Sequence, residues 1–109
     1  MKHSDIAPIL EQTRLPVTYG YWPEGHAPRL PYLVWYLPGS VNMAADDAVY
    51  QRIDDLNVEL YTKTKDFATE AAVEAVLDGA GLVWDKEETY LSDEHMYEVL
   101  YTMEVIING

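Results

Sequence analysis

Residues 97–107 read YEVLYTMEVII, and this stretch decides the fold because its side chains fall into two alternating sets. Successive side chains of a β-strand point to opposite faces of the sheet. One set is apolar and comprises Tyr97, Val99, Tyr101, Met103, Val105 and Ile107. The other set is mixed and comprises Glu98, Leu100, Thr102, Glu104 and Ile106. The stretch therefore predicts a long strand that packs one face against a core.

The same alternation occurs upstream and predicts a sheet that is covered on one side only. Within a predicted third strand over 49–64, polar residues separate Leu56, Val58, Leu60 and Thr62. We expect an interruption of this strand at Asp54-Asp55. A further strand is predicted over 83–91, with a turn at 92–95 before the final strand. Period-two alternation with one apolar face is typical of antiparallel sheets that have one solvated side.

Five of the six prolines lie between positions 16 and 38, among tyrosines and tryptophans. Aromatic residues favour strands, whereas proline is confined to strand ends and loops. The segment predicts two strands, over 17–22 and 30–37, joined as a hairpin by a loop at 23–29. Alternatively, residues 28–31 (PRLP) form a PxxP motif that binds a partner domain. Residues 39–47 are predicted to be a loop.

Two helices complete the predicted fold. The first, over 4–13, has Ser4 as its N-cap and Ile6, Ile9 and Leu10 at helical spacing. The second, over 66–78, begins at the N-cap Asp66 and is expected to lay Phe67, Val73, Val76 and Leu77 on the sheet. Residues 1–109 are thus predicted to form a single α+β domain, with an antiparallel sheet of about four to five strands and helices on one face.

The net charge of −12 is concentrated in the second half of the chain. Residues 66–109 hold eleven acidic residues and one basic residue, whereas residues 1–65 hold eight and six. Phosphate binding needs clustered Lys and Arg, so we expect no sequence-specific nucleic-acid binding and no membrane binding. There is no secretory-signal pattern, and we expect the protein to stay where it is made. The absence of cysteine excludes disulfides and thiolate chemistry.

The side chains that could support catalysis or metal binding form no known motif. His3, His26 and His95 are predicted at a terminus, a loop and a turn, where surface positions are usual. Residues 93–95 (DEH) with Glu98 offer imidazole and carboxylate ligands, but without a recognised metal-binding spacing. The pairs 46–47 and 54–55 (DD) are adjacent and cannot jointly flank one substrate atom. We therefore predict no enzyme activity, no cofactor and no metal.

An acidic stripe along the second predicted helix is the unusual feature of the sequence. It comprises Asp66, Glu70, Glu74 and Asp78, which recur every four residues with no basic residue between them. Like charges at this spacing destabilise a helix by roughly 0.2–0.5 kcal/mol per pair. The stripe is either a solvated surface, a lumen past which DNA slides, or a contact with basic residues of a neighbouring copy. Such a head-to-tail contact can close a ring, and the candidate basic residues are Arg14, Arg29 and Arg52.

Several strings in the sequence resemble the tail terminators, or tail-completion proteins, of long-tailed bacteriophages. They are LPVTYG at 15–20, PYLVWY at 31–36, AADDAVY at 44–50, ELYTKTKD at 59–66 and YEVLYTMEVII at 97–107. The resemblance implies a virion subunit, made in the host cytoplasm, that forms a ring, typically hexameric, at the head-proximal end of the tail tube. Its implied partners are further copies, the tail-tube protein and the head-closure or neck proteins, and it implies no catalytic residues.

Two other functions fit the same sequence. A head-side neck or adaptor protein of the same virion would share this composition. An acidic DNA-mimic inhibitor would use the negative surface to occupy a nucleic-acid site on an enzyme, and we would expect it to act as a monomer or small dimer.

Overall fold

The computed structural model describes residues 1–48 and 51–109, and it includes Val49 and Tyr50 only within the bounds of a strand. The elements are a 3-10 turn His3–Asp5, α1 Ile6–Glu11, β1 Val17–Tyr19, β2 Tyr32–Tyr36, β3 Met43–Ala45, β4 Ala48–Thr62, α2 Phe67–Gly79, β5 Trp84–Leu91 and β6 Met96–Ile107. The predicted α+β class is confirmed, with a sheet of six strands in the described chain. The predicted beginning of the third strand at Val49, and the last two residues of the AADDAVY string, lie outside the described residues.

The sheet has the order β1-β2-β4-β6-β5, and β3 pairs with the outer part of β4. All of these pairs are antiparallel except β1 with β2. The predicted hairpin between the first two strands is therefore wrong. Residues 20–31 instead form a crossover, which a parallel pair requires and a tight turn cannot provide. They begin at Gly20, whose φ of +80° is a conformation that favours glycine.

Two details of the third strand also differ from prediction. β4 runs without a break through Asp54 and Asp55, because β6 pairs with it residue by residue from Arg52 to Thr62. The loop predicted over 39–47 contains the short strand β3. Asp46 and Asp47 connect β3 to β4 with φ values of 52° and 62°, the left-handed backbone of a tight hairpin turn. Aspartate tolerates this conformation better than most residues.

The core lies on one side of the sheet. Its strand residues are Leu33, Leu56, Val58, Leu60, Val99, Tyr101, Met103, Val105 and Ile107, and the two helices contribute Ile6, Leu10, Val73 and Leu77. This confirms the predicted apolar face of β6 and the packing of Val73 and Leu77. The prediction for Phe67 was wrong, since its side chain is 74% exposed at the beginning of α2.

Stability should depend on the covered face far more than on the opposite one. Leu60 is 0% exposed and Ile106 is 48% exposed. Leu60→Ala removes buried methyl groups and leaves a cavity, so we expect it to lower the free energy of unfolding by about 2–5 kcal/mol in urea denaturation. Ile106→Ala, the control on the opposite face, should cost clearly less. Equal losses would contradict one-sided burial.

Candidate functional site: the open face of the sheet

All four acidic side chains of the α2 stripe accept hydrogen bonds within the chain, and the two central ones, Glu70 and Glu74, also form ion pairs. Asp66 caps the helix by accepting a hydrogen bond of 3.0 Å from the Thr69 backbone N–H. Glu70 is only 3% exposed, and Lys65 Nζ donates to its Oε2 at 2.5 Å. The Glu70 carboxylate is therefore removed from water and paired, whereas Asp78, at the other end of the stripe, is exposed.

The remaining stripe residues also have partners on neighbouring strands. Lys86 Nζ lies 2.7 Å from Glu74 Oε2 and 3.4 Å from Glu70 Oε1. Tyr101 Oη donates to Glu74 Oε2 at 2.8 Å, and Trp84 Nε1 donates to Asp78 Oδ1 at 2.8 Å. Burial and the Glu74 carboxylate raise the pKa of the Tyr101 hydroxyl above its usual value, so it stays protonated and keeps donating. A role for these acids in contacts between subunits or in a lumen remains a prediction.

The three arginines proposed as their partners are not grouped on one surface. Arg14 follows α1, Arg29 precedes β2, and Arg52 lies at the opposite end of the sheet, paired in register with Ile107. All three are exposed. Within residues 1–48 and 51–109, none of them forms an ion pair.

The side of the sheet away from the helices, which we call the open face, carries acidic side chains without basic ones to neutralise them in the part of the chain that the structure describes. Alternation along the paired strands places on it the carboxylates of Asp55, Glu59, Asp85, Glu87, Glu98 and Glu104. Among the described residues of β2, β4, β5 and β6, no lysine or arginine shares this face. This differs from the helix side, where lysines pair with the acidic residues.

Two of the open-face carboxyl groups are held against each other. Burial, a hydrogen bond to Glu98 and the negative charge of Glu98 together raise the pKa of Glu59 to about 7. Tyr61 Oη donates to Glu98 Oε2 at 2.9 Å, and burial with these two carboxylates raises the Tyr61 pKa above its usual value. Glu59 thus holds a proton up to about pH 7, chiefly because burial disfavours its charged form.

Two clefts lie on the open face. The larger, about 690 Å³, is lined by three of its carboxylates, Asp55, Asp85 and Glu104, with Val41 and Val83 at the rim. The smaller, about 330 Å³, is lined largely by apolar and aromatic residues: Gly20, Tyr21, Trp22, Ala27, Tyr32, Val34, Tyr61, Leu91, Glu94 and Met96. The indole N–H of Trp22 is buried without a hydrogen-bond partner among the described residues.

The other candidates from the sequence are dispersed. His3 Nε2 lies 2.6 Å from Asp54 Oδ2, whereas His26 is in the crossover and His95 in the β5–β6 turn. In the described part of the chain, no three His, Asp or Glu side chains are grouped as metal ligands. Asp54 and Asp55 point to opposite faces, as expected for neighbours on a strand. No described helix is long and apolar enough to cross a membrane.

The stability of the fold should depend on pH through Glu59. The folded chain holds the Glu59 proton up to about pH 7, whereas an unperturbed glutamate releases it near 4.5. The folded state therefore binds more protons in this window, and stability falls as the pH rises through it. We expect Glu59→Gln to reduce this fall and to be more stable than the wild type at pH 8, measured by urea denaturation from pH 4.5 to 8. Glu87→Gln, on the same face, is the control and should retain the fall. A wild-type slope in Glu59→Gln would contradict the shifted pKa.

Glu70 should be the most important carboxylate for monomer stability. Glu70→Gln keeps the shape of the side chain but removes the charge that Lys65 and Lys86 share. Since hydrogen bonds to charged groups contribute about 1.5–3 kcal/mol, we expect a loss of roughly that size in the free energy of unfolding at pH 7. Glu87→Gln, an exposed substitution of the same kind, should cost nothing. A neutral Glu70→Gln would show that the lysines do not depend on Glu70.

Comparison with known proteins supports the fold. No protein-family model matches the sequence, and no curated protein is significantly similar to it. Four chains of solved structures match. One of them belongs to a structure described as the virion of a native gene transfer agent (GTA) particle, with a TM-score of 0.63 and 14% sequence identity. The match covers 95% of this chain and 84% of that chain, so the two share a fold over nearly their whole length.

Proposed function

We propose that this protein is a structural subunit of a phage-like virion and carries out no enzymatic reaction. The observation that supports this is the shared fold with a chain of a gene transfer agent virion, which extends over 95% of the sequence. The phage resemblance of the sequence strings adds independent support, since it was drawn from residues and not from the fold.

Within the virion, we propose that the chain is a tail terminator that forms a ring, with six copies as the expected number. The ring lies at the head-proximal end of the tail tube and contacts the tube protein on one side and head-closure or neck proteins on the other. The one-sided sheet suits this role, because a face with six carboxylates and no described cation is electrostatically incomplete in the monomer. Contact with a partner can supply the missing positive charge.

The net charge of −12 also suits a ring through which DNA passes. A negative surface repels the phosphate backbone, so DNA would move past it without binding. The subunit would be made in the host cytoplasm and incorporated into the virion during assembly.

Negative-stain electron microscopy tests this proposal. The purified protein should form rings, and mixing it with tail tubes assembled from the tube protein of the same virion should place one ring at one end of each tube. Omitting the protein should leave the tubes uncapped and variable in length.

The alternatives give different results in the same preparation. A head-side adaptor would co-purify with portal or head-closure protein and leave the tube ends bare. A DNA-mimic inhibitor would stay a monomer or small dimer and would bind a DNA-processing enzyme. Either result would replace the tail-terminator proposal.

A further inference from the structure

Three of the five exposed Lys and Arg residues that have no described ion pair lie at one edge of the sheet, and the other two are Lys2 and Arg52. Arg29 lies three residues before β2 and Lys63 directly follows β4. Tyr32 pairs with Tyr61, so these two strand ends meet at the same edge. Arg14 lies three residues before β1, which is parallel to β2 and begins beside it. We call Arg14, Arg29 and Lys63 the basic edge.

The larger open-face cleft lies toward the other end of the sheet. Asp55 is directly opposite Glu104 in the β4–β6 register, and Asp85 lies one strand further along, opposite Thr102. Like charges directly opposite each other on an antiparallel pair are destabilising. We call Asp55, Glu104 and Asp85 the acidic row.

One subunit cannot bring its own basic edge to its own acidic row. Seven residues of continuous strand separate Asp55 from the end of β4 at Thr62, and at about 3.3 Å per residue this is roughly 23 Å. No side chain spans that distance. The two surfaces are complementary in charge, and an ion pair between them must form between two molecules.

We infer that the acidic row of one subunit receives the basic edge of a second copy, and that this contact joins neighbouring subunits. This rests on the proposed ring-forming function and names the surfaces that form it. We propose that the contact is used head to tail, so that each subunit receives one neighbour on its acidic row and offers its basic edge to the next, and heterologous contacts that close produce rings. Val41 and Val83 are 60% and 88% exposed, and they supply apolar area at the cleft rim that the second copy would bury.

The lysines that pair with Glu70 and Glu74 are already used within the monomer. The acidic row and the basic edge therefore offer the best-matched pair of surfaces.

A single charge reversal tests the location of the contact. Glu104→Lys changes the net charge by two units and places a cation in the acidic row. Since like-charge contacts across an interface cost several kcal/mol, we expect at least about a ten-fold weaker association in sedimentation velocity. The control is Ala71→Lys/Ala75→Lys, which makes the same change of net charge at exposed positions on the outer side of α2. It should assemble like the wild type, and raising the salt concentration should weaken wild-type assembly.

Mixing two defective variants tests the pairing itself. Asp85→Lys/Glu104→Lys reverses the acidic row, and Arg29→Glu/Lys63→Glu reverses the basic edge. Each variant alone should be monomeric. An equimolar mixture should assemble with the two variants alternating. The reversed row of one variant then meets the reversed edge of the other, and the wild-type row of the second meets the wild-type edge of the first. Circular dichroism of each variant establishes that it is folded.

The outcomes separate this inference from the proposed function. If the wild type stays monomeric at every concentration and does not cap tail tubes, the ring-forming function is wrong. If the wild type assembles but the mixture does not, or if Ala71→Lys/Ala75→Lys is the variant that blocks assembly, the ring stands and the assignment of its contact is overturned.

Discussion

The fold depends on the long ladder between β4 and β6, which is buried on one side only. Eleven consecutive residue pairs, from Arg52–Ile107 to Thr62–Tyr97, join the two strands in one register. Because side chains alternate, that register places Leu56, Val58 and Leu60 beside the apolar residues of β6 under the helices. A slip of one residue would exchange the two faces of a strand and expose its share of the core. Burial of this face therefore fixes the pairing, and the pairing in turn fixes the residues that meet on the open face.

The acidic residues on the two sides of the sheet have different surroundings. On the helix side, Glu70 and Glu74 are partly or fully removed from water, and Lys65 and Lys86 satisfy them at distances of 2.5–3.4 Å. A buried carboxylate without such partners would be strongly destabilising, so these lysines are a structural requirement. On the open face the carboxylates remain partly or fully solvated. Water screens their repulsion enough for the monomer to fold, and the pKa of Glu59 is raised mainly by burial, with a hydrogen bond to Glu98 and the Glu98 charge adding to it.

The helices and strands that show a clear hydrophobic period could be predicted from the sequence. The contacts that depend on which strands pair, and in which register, could not. Alternation predicted β6 and its buried face, and Asp66 with the alanine-rich segment predicted α2. The parallel pairing of β1 with β2 was missed, because a proline-rich stretch of this length is compatible with a hairpin or a crossover. The spacing of the α2 stripe is compatible with a solvated surface, a lumen or a contact with a neighbouring copy, because it shows which acids share a face but not that Lys65 and Lys86 lie opposite them. That Asp55 lies opposite Glu104 could be known only from the β4–β6 register. The alternation of β6 alone predicts only that Glu98 and Glu104 lie on the face away from the core.

The acidic residues Glu70 and Glu74 are paired with lysines on the helix side, and those on the open face have no lysine beside them in the described strands. This difference is expected if folding and assembly are separate steps. A monomer that neutralised its open face internally would gain stability, but it would lose the charge difference that directs one subunit toward the next. A net charge of −12 instead makes free subunits repel one another. In the proposed contact, an approach that brings the basic edge to an acidic row replaces repulsion with attraction, so charge would select the orientation before any apolar area is buried. The same repulsion disfavours a symmetric dimer in which two open faces meet. For the proposed contact, the charge distribution thus favours head-to-tail growth over packing of open face against open face, and head-to-tail growth is the geometry of a closed ring.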